Sequence, residues 1–194
     1  MSEGWDEYAE GWDTNEAVIS YCLKAYDSLV NKVELEGRSV LDFGCGTGLL
    51  TEKISAQANY VVAIDPSEKM ISVLTGKGLE NVRAIQSELT QNLIDTDESL
   101  RGGFDIIVAS SALAFVPDYL ETLRLLKQLL KKEGSFVQWD WLQENEVSGS
   151  GFSRESIELA LKQAGYSKFS TSLPFSMESS EGSAKVVMAV ARNV

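Results

Sequence analysis

The segment Val40-Leu41-Asp42-Phe43-Gly44-Cys45-Gly46-Thr47-Gly48-Leu49-Leu50 joins an apolar run to three alternating glycines, with an acid just before them. Glycines at such a point let the backbone turn tightly and let a ligand lie close against the main chain. The phosphate-binding versions of this loop fail on spacing. A dinucleotide fingerprint begun at Gly44 and Gly46 needs its third glycine where Leu49 stands, and no Gly-Lys-Ser or Gly-Lys-Thr follows. A second acid, Asp65, lies 17 residues after Gly48, at the end of the apolar run Tyr60–Ile64. A carboxylate there can accept from both hydroxyls of a ribose. Taken singly, Asp42 and Asp65 would be cap or turn residues; the constellation favours ligand binding. Cys45 offers a thiol, but the chain has no histidine to activate it. The same absence excludes a Ser-His-Asp triad and any imidazole metal ligand.

These residues need strands and helices to position them. Val18, Tyr21, Cys22, Ala25, Tyr26, Leu29, Val30 and Val33 follow helical spacing, and Asp13 with Glu16 three residues on predicts the N-terminal cap. Ser39–Phe43, Tyr60–Ile64, Asn81–Gln86, Phe104–Ala109 and Ser135–Trp141 read as buried strands. Helices are predicted over Leu49–Ala58, from Ser67 to about Leu74, and from Pro117 until Gly134 stops it. Glu88 to Gly103 reads as loop with room for a short helix, and Gln143 to Gly151 as loop. A helix from Ser153 to Gly165 precedes two strands, Lys168–Ser176 and Ala184–Arg192, around the turn Glu178–Ser183. That short connection cannot make a parallel crossover. The expectation is a doubly wound α/β fold: a seven-stranded, mostly parallel sheet with an antiparallel C-terminal hairpin, helices on both faces, and a crevice at the carboxyl ends of the strands.

The 194 residues suggest one domain, and the 29 acids against 17 bases give a net charge of −12. Such a chain is poorly suited to phosphate backbones, so no nucleic acid is expected. The start, MSEGWDEYAE, has neither the basic nor the apolar region of a secretory signal. No apolar run approaches the roughly 18 residues of a membrane span, so no membrane partner is expected. Cys22 and Cys45, with no C-x-x-C, do not make a disulfide framework and fit a reducing, cytoplasmic setting.

The D-x-G-x-G-x-G pattern resembles the class I S-adenosylmethionine-dependent methyltransferases. The resemblance runs from about Trp5 to Val194 and includes Ile64-Asp65-Pro66-Ser67 with Met70, Asn81–Leu89 and Phe104–Asp118 in the family's order. It implies a Rossmann-like methyltransferase domain over residues 1–194, with 1–35 as an N-terminal lid and helix and 36–194 as the core. It also implies S-adenosyl-L-methionine as cofactor and S-adenosyl-L-homocysteine as product. Asp42 would favour the cationic methionine portion, while Gly44, Cys45, Gly46, Gly48 and Leu49 would lie along the ligand. Asp65 would take the ribose, and Pro66, Met70, Glu88 and Leu89 the adenine. Ala109 and Ser110 would meet the methionine end through main chain. Tyr8, Trp12, Ser111 and Phe115 would form the lid and acceptor side, and no metal is implied.

Methyl transfer from a sulfonium demands proximity, alignment and exclusion of water more than acid–base chemistry. Many relatives carry a histidine where Ala114 stands here. Its loss disfavours histidine-based O-methylation and favours a small acceptor that gives up its proton easily. If a base exists, Tyr8, Asp13 and Asp140 are the candidates. A monomer or homodimer acting on a small molecule is expected. The alternatives are a non-catalytic S-adenosylmethionine-binding partner subunit and, more distantly, a nicotinamide oxidoreductase.

Overall fold

The structure, a computed structural model, describes residues 3–143, 151–179 and 182–194. The Val- and Ile-rich runs form strands β1 (Ser39–Phe43), β2 (Tyr60–Asp65), β3 (Val82–Gln86) and β4 (Phe104–Ser110). They continue with β5 (Leu130–Trp141), β6 (Lys168–Ser179) and β7 (Gly182–Arg192). The sheet order is β3-β2-β1-β4-β5-β7-β6. The first five strands are parallel, and β7 runs antiparallel to both β5 and β6. The chain winds outward from β1 to β3, then returns to β4 on the other side of β1. This reversal opens a crevice beyond the carboxyl ends of β1 and β4. Register places it: Phe43 pairs with both Ile64 and Ala109, so β1, β2 and β4 end together at Gly44.

The helices are α1 (Glu3–Asp6), α2 (Glu16–Val30), α3 (Leu49–Ser55), α4 (Glu68–Gly76), α5 (Gln91–Thr96), α6 (Tyr119–Leu129) and α7 (Arg154–Gln163). Helix α5 resolves the polar stretch after β3; the Thr90 side chain caps it by accepting from Leu93 N. The cap of α2 is Asn15 rather than Asp13. A 3-10 turn over Trp12–Thr14 ends at Asn15, whose extended backbone lets its side chain accept from Ala17 N and Val18 N. Helix α6 also ends earlier than Gly134. Leu130 already pairs with Phe104, and a bulge follows before Ile106 meets Ser135. Within it Glu133 takes a φ of 63°.

Strand side chains alternate between two cores. Leu41, Phe43, Ile107 and Phe136 face Leu123, Leu126, Ile157 and Leu161 of α6 and α7. Val40, Ile106, Val108 and Trp139 face Ala25 and Leu29 of α2 and Ile54 of α3. Among the described residues, no helix is long and apolar enough to cross a membrane. Trp139 is fully buried, and its indole N–H donates to Ser28 Oγ at 2.8 Å, pinning α2 to β5. Ser28→Ala leaves that buried donor unpaired. We expect a loss of about 1–3 kcal/mol in urea unfolding, the usual cost of an orphaned buried donor.

Candidate active site

The glycine loop is held by the strand beside it. Gly44 N and Cys45 N donate to Ile64 O at 2.8 and 3.1 Å. Gly46 N donates to Asp65 Oδ2 at 2.9 Å, and Ser67 N to Asp65 Oδ1 at 2.9 Å. Two of the glycines have distinct steric reasons. A Cβ on Gly44 (φ 69°) would sit 2.3 Å from Ala112 Cβ, so this glycine lets the turn after β4 close on the end of β1. A Cβ on Gly48 (φ 81°) would sit 2.3 Å from Leu74 Cδ1, so that glycine lets α3 start against α4.

Burial dominates the electrostatics. Asp42 is 1% exposed and accepts from Thr51 Oγ1 at 2.6 Å. Its pKa rises to about 7, chiefly because burial penalises the carboxylate; Thr51 opposes the shift and the Asp65 charge adds to it. Burial also raises the pKa of Asp65, against the two amides that hold it. The Cys45 thiol is pushed well above its ordinary value, by burial first and then by Asp42 and Asp65, so it stays protonated and inert as a nucleophile.

Above the loop lies a cavity of about 810 Å³. Of the residues singled out from sequence, Asp42, Gly44, Cys45, Gly46 and Leu49 line it, as do Asp65, Pro66, Met70, Glu88, Leu89 and Ser110. Trp12, Ser111 and Phe115 line its other side. Gly48 and Ala109 do not; the first packs on Leu74 and the second is fully buried in the sheet. Tyr8 is 60% exposed, on the outside of an aromatic cluster against Trp5 and Trp12. The structure adds wall residues that the sequence pattern did not flag: Tyr21 and Val18 of α2, Trp141 of β5, and Met177, Glu178 and Ala184 of the hairpin. Only the sheet order brings these beside the glycine loop. Of the loop Gln143–Gly151, residues 144–150 lie outside the described residues.

The N-terminal segment is tied down at two points. Asp6 accepts from the Ser67 hydroxyl and from Lys69 N at 3.3 Å, next to Asp65. Asp13 accepts from the Thr47 hydroxyl and pairs with Lys77 at 2.9 Å. Asp13 is thus a tether and does not line the cavity. Just before the first tether the Trp5 ring meets Phe115 edge-on at 4.9 Å, on one side of the cavity. Tyr21, also on the wall, lies tilted against Trp141 at 5.4 Å between ring centres and accepts from Ser111 Oγ at 2.8 Å. Ser111 takes a φ of 51°, unusual for a residue with a Cβ, and its N–H donates to Trp139 O at 2.7 Å.

Asp140 is not at the crevice edge. It is 1% exposed and absent from the cavity wall, because strand alternation turns it to the α6 face of β5, where Gln138, Tyr119 and the Ala114 amide surround it. Gln138 Nε2 donates to its Oδ2 at 3.1 Å, and Gln138 in turn accepts from Tyr119 at 2.7 Å. Oδ1 has no hydrogen bond of good geometry, although the Ala114 amide favours the ionised form. Burial raises the Asp140 pKa to about 8. Among the described residues, no group of three or more cysteine, aspartate or glutamate side chains is arranged to hold a metal ion.

The strand order and the glycine crevice define a Rossmann-like methyltransferase fold. The sequence pattern of the methyltransferase domain family matches residues 15–171, and the chain belongs to that family. A ubiquinone biosynthesis O-methyltransferase of Marinobacter nauticus is 30% identical over 137 residues, 69% of this chain and 55% of that protein. The chain therefore spans about half the length of the curated relatives it matches. Among solved structures, a SAM dependent methyltransferase from Aquifex aeolicus superposes with a TM-score of 0.66 at 24% identity, covering 87% of this chain and 89% of that one. A magnesium protoporphyrin IX methyltransferase of Synechocystis PCC 6803 with bound SAM gives 0.66 at 19% identity, covering 90% and 79%.

The buried Asp140 makes a signed prediction about pH. A carboxyl whose folded pKa lies above its unfolded value stabilises the fold while protonated. That contribution is complete below about pH 4 and is lost as pH rises to about 8. Asp140→Asn removes this loss. Its melting temperature relative to wild type is expected to rise across that interval and level off above it, by at least about 2–4 °C for each kcal/mol recovered. Calorimetry from pH 4 to 9 checks this, and a difference that does not change with pH contradicts it.

Proposed function

We propose that this methyltransferase binds S-adenosylmethionine in the cavity over the glycine loop and directs its methyl group to a small-molecule nucleophile. The observation that carries the reading is the Asp65 carboxylate at the end of β2. It lines the cavity and is fixed by the Gly46 and Ser67 amides. Each of its oxygens keeps a lone pair for a ribose hydroxyl. The wall chemistry fits the same ligand. S-adenosylmethionine carries an ammonium, a sulfonium and one carboxylate, and the ionisable wall includes Asp42, Asp65 and Glu88 with no Lys or Arg among the described residues. A nicotinamide dinucleotide would bring a pyrophosphate to that wall without a cation to receive it.

In this reading Asp42 favours the cationic methionine end, and Ser110 meets it through main chain. Pro66, Met70, Glu88 and Leu89 surround the adenine. When bound, S-adenosylmethionine supplies a methyl group on a sulfonium, an electrophile whose leaving group is a neutral thioether. The protein's part is alignment and dryness. Trp5, Trp12 and Phe115 exclude water from above, and Tyr21 and Ser111 orient the acceptor with their hydroxyls. Alignment of this kind can be worth about 7–11 kcal/mol of barrier. Residues 1–35 act as lid and first helix, and the working unit is a monomer or homodimer. The curated relatives are named O-methyltransferases. With no histidine in the chain and Asp140 and Asp13 away from the wall, an acceptor that needs no histidine base, such as a neutral amine, suits this site better.

Calorimetric titration with S-adenosylmethionine and S-adenosylhomocysteine, with NAD as control, tests the reading. We expect micromolar binding of both sulfur compounds and none of NAD. Asp65→Ala should raise the dissociation constant at least tenfold with the fold intact by circular dichroism. A folded wild type that binds neither compound would overturn the assignment.

A further inference from the structure

Six carboxyl side chains line the cavity: Asp42, Asp65, Glu88, Asp118, Glu121 and Glu178. No Lys or Arg does so among the described residues. The nearby Lys77 is committed to Asp13 and Glu52 at 2.9 and 3.2 Å, Arg124 pairs with Glu121 at 3.4 Å, and Lys24 donates to Ser176 O at 2.8 Å. Three of the acids sit at the ends of β1, β2 and β3. Asp118 caps α6 and Glu121 lies in its first turn, while Glu178, exposed, sits on β6 next to Met177 in the hairpin. The wall between is aromatic. Trp5, Trp12 and Phe115 form one side, and Tyr21 and Trp141 the other.

We infer that the acceptor is an apolar amine, seated between these aromatic walls with its nitrogen in the field of Glu178, rather than a molecule whose nucleophile or recognition handle is an anion. The inference rests on the function proposed above and narrows its acceptor.

Two physical arguments support it. The first concerns binding. A carboxylate, phosphate, thiolate or phenolate would enter a site of its own sign with no cation to pair with, which is costly. An ammonium meets aromatic faces and carboxylates, both of which attract it. Cys45 shows the field at work on a thiol in the same wall, since Asp42 and Asp65 both disfavour its ionisation. The second concerns the transfer. The bound ammonium first loses its proton to the Glu178 carboxylate, which releases it to water, and the neutral nitrogen then gives its lone pair to the methyl carbon as the carbon–sulfur pair returns to sulfur. Positive charge thereby moves from sulfur to nitrogen, and the new ammonium then passes its proton to Glu178 or to water. With a thiolate or phenolate the two charges cancel instead. Carboxylates around the acceptor stabilise the positive charge that grows on nitrogen, whereas they repel a thiolate or phenolate before it reacts.

The test uses three probes that share a phenylethyl body: 2-phenylethylamine, 3-phenylpropionate and 2-phenylethanethiol. S-adenosylhomocysteine is titrated first, and each probe is then titrated into that complex. Methyl transfer from S-adenosylmethionine is followed by mass spectrometry. We expect the amine to bind at least tenfold more tightly than the carboxylate and to be methylated on nitrogen in preference to the thiol. Glu178→Gln should cut the amine-over-carboxylate preference several-fold, and Glu178→Lys should reverse it, with S-adenosylhomocysteine affinity unchanged in both. Failure of S-adenosylhomocysteine to bind would overturn the proposed function and this inference with it. Binding of S-adenosylhomocysteine with the carboxylate or thiol equal to the amine, with none of the probes bound, or with the preference unmoved by Glu178→Lys, would overturn the inference alone.

Discussion

The carboxylate of Asp65 is the joint on which the site depends. One oxygen accepts from Gly46 in the loop after β1 and the other from Ser67 at the start of α4. The Ser67 hydroxyl caps α4 through Met70 N and also reaches Asp6 of the N-terminal segment. A single side chain and its neighbour thus link the glycine loop, the second strand, its helix and the segment that covers the cavity. Moving any one of them disturbs the others, because they share charge-assisted hydrogen bonds to one carboxylate. The close approach of Gly44 to Ala112 adds the fourth strand to the same assembly.

Around that joint the site is acidic and dry. Asp42 and Asp140 are both 1% exposed, and burial raises both pKa values. Their positions differ in consequence. Asp42 lines the cavity, so a cationic ligand can offset its desolvation. Asp140 is sealed on the α6 face of the sheet and relies on Gln138, which is in turn held by Tyr119. Protonation serves Asp140 and ligand charge serves Asp42. Trp5, Phe115, Tyr21 and Trp141 add apolar wall to the same cavity.

Much of this was legible in the chain. The alternation of apolar strands with amphipathic helices implied the doubly wound sheet, and the short last connection implied the antiparallel hairpin. The glycine loop and Asp65 could be read because they belong to local strand–turn–helix units, where residue type and backbone conformation are tied directly. The misread elements were those with two local solutions. Asp13 and Asn15 are both good caps, and the 3-10 turn before α2 selected Asn15. Gly134 is a good helix stop, yet pairing of Leu130 with Phe104 ended α6 first.

The sequence by itself determined the fold class, the glycine loop with its two acids, and the absence of a histidine base. These follow from periodicity, spacing and composition, which are properties of neighbouring residues. Tertiary structure alone decided which distant side chains share the cavity. The order β5-β7-β6 carries Met177 and Glu178 to its far wall, and α2 lays Tyr21 against Trp141. It also decided that Gly48 serves packing against Leu74 and that Asp140 is buried. Those outcomes depend on strand pairing and helix docking between residues far apart in the chain, which no local pattern encodes.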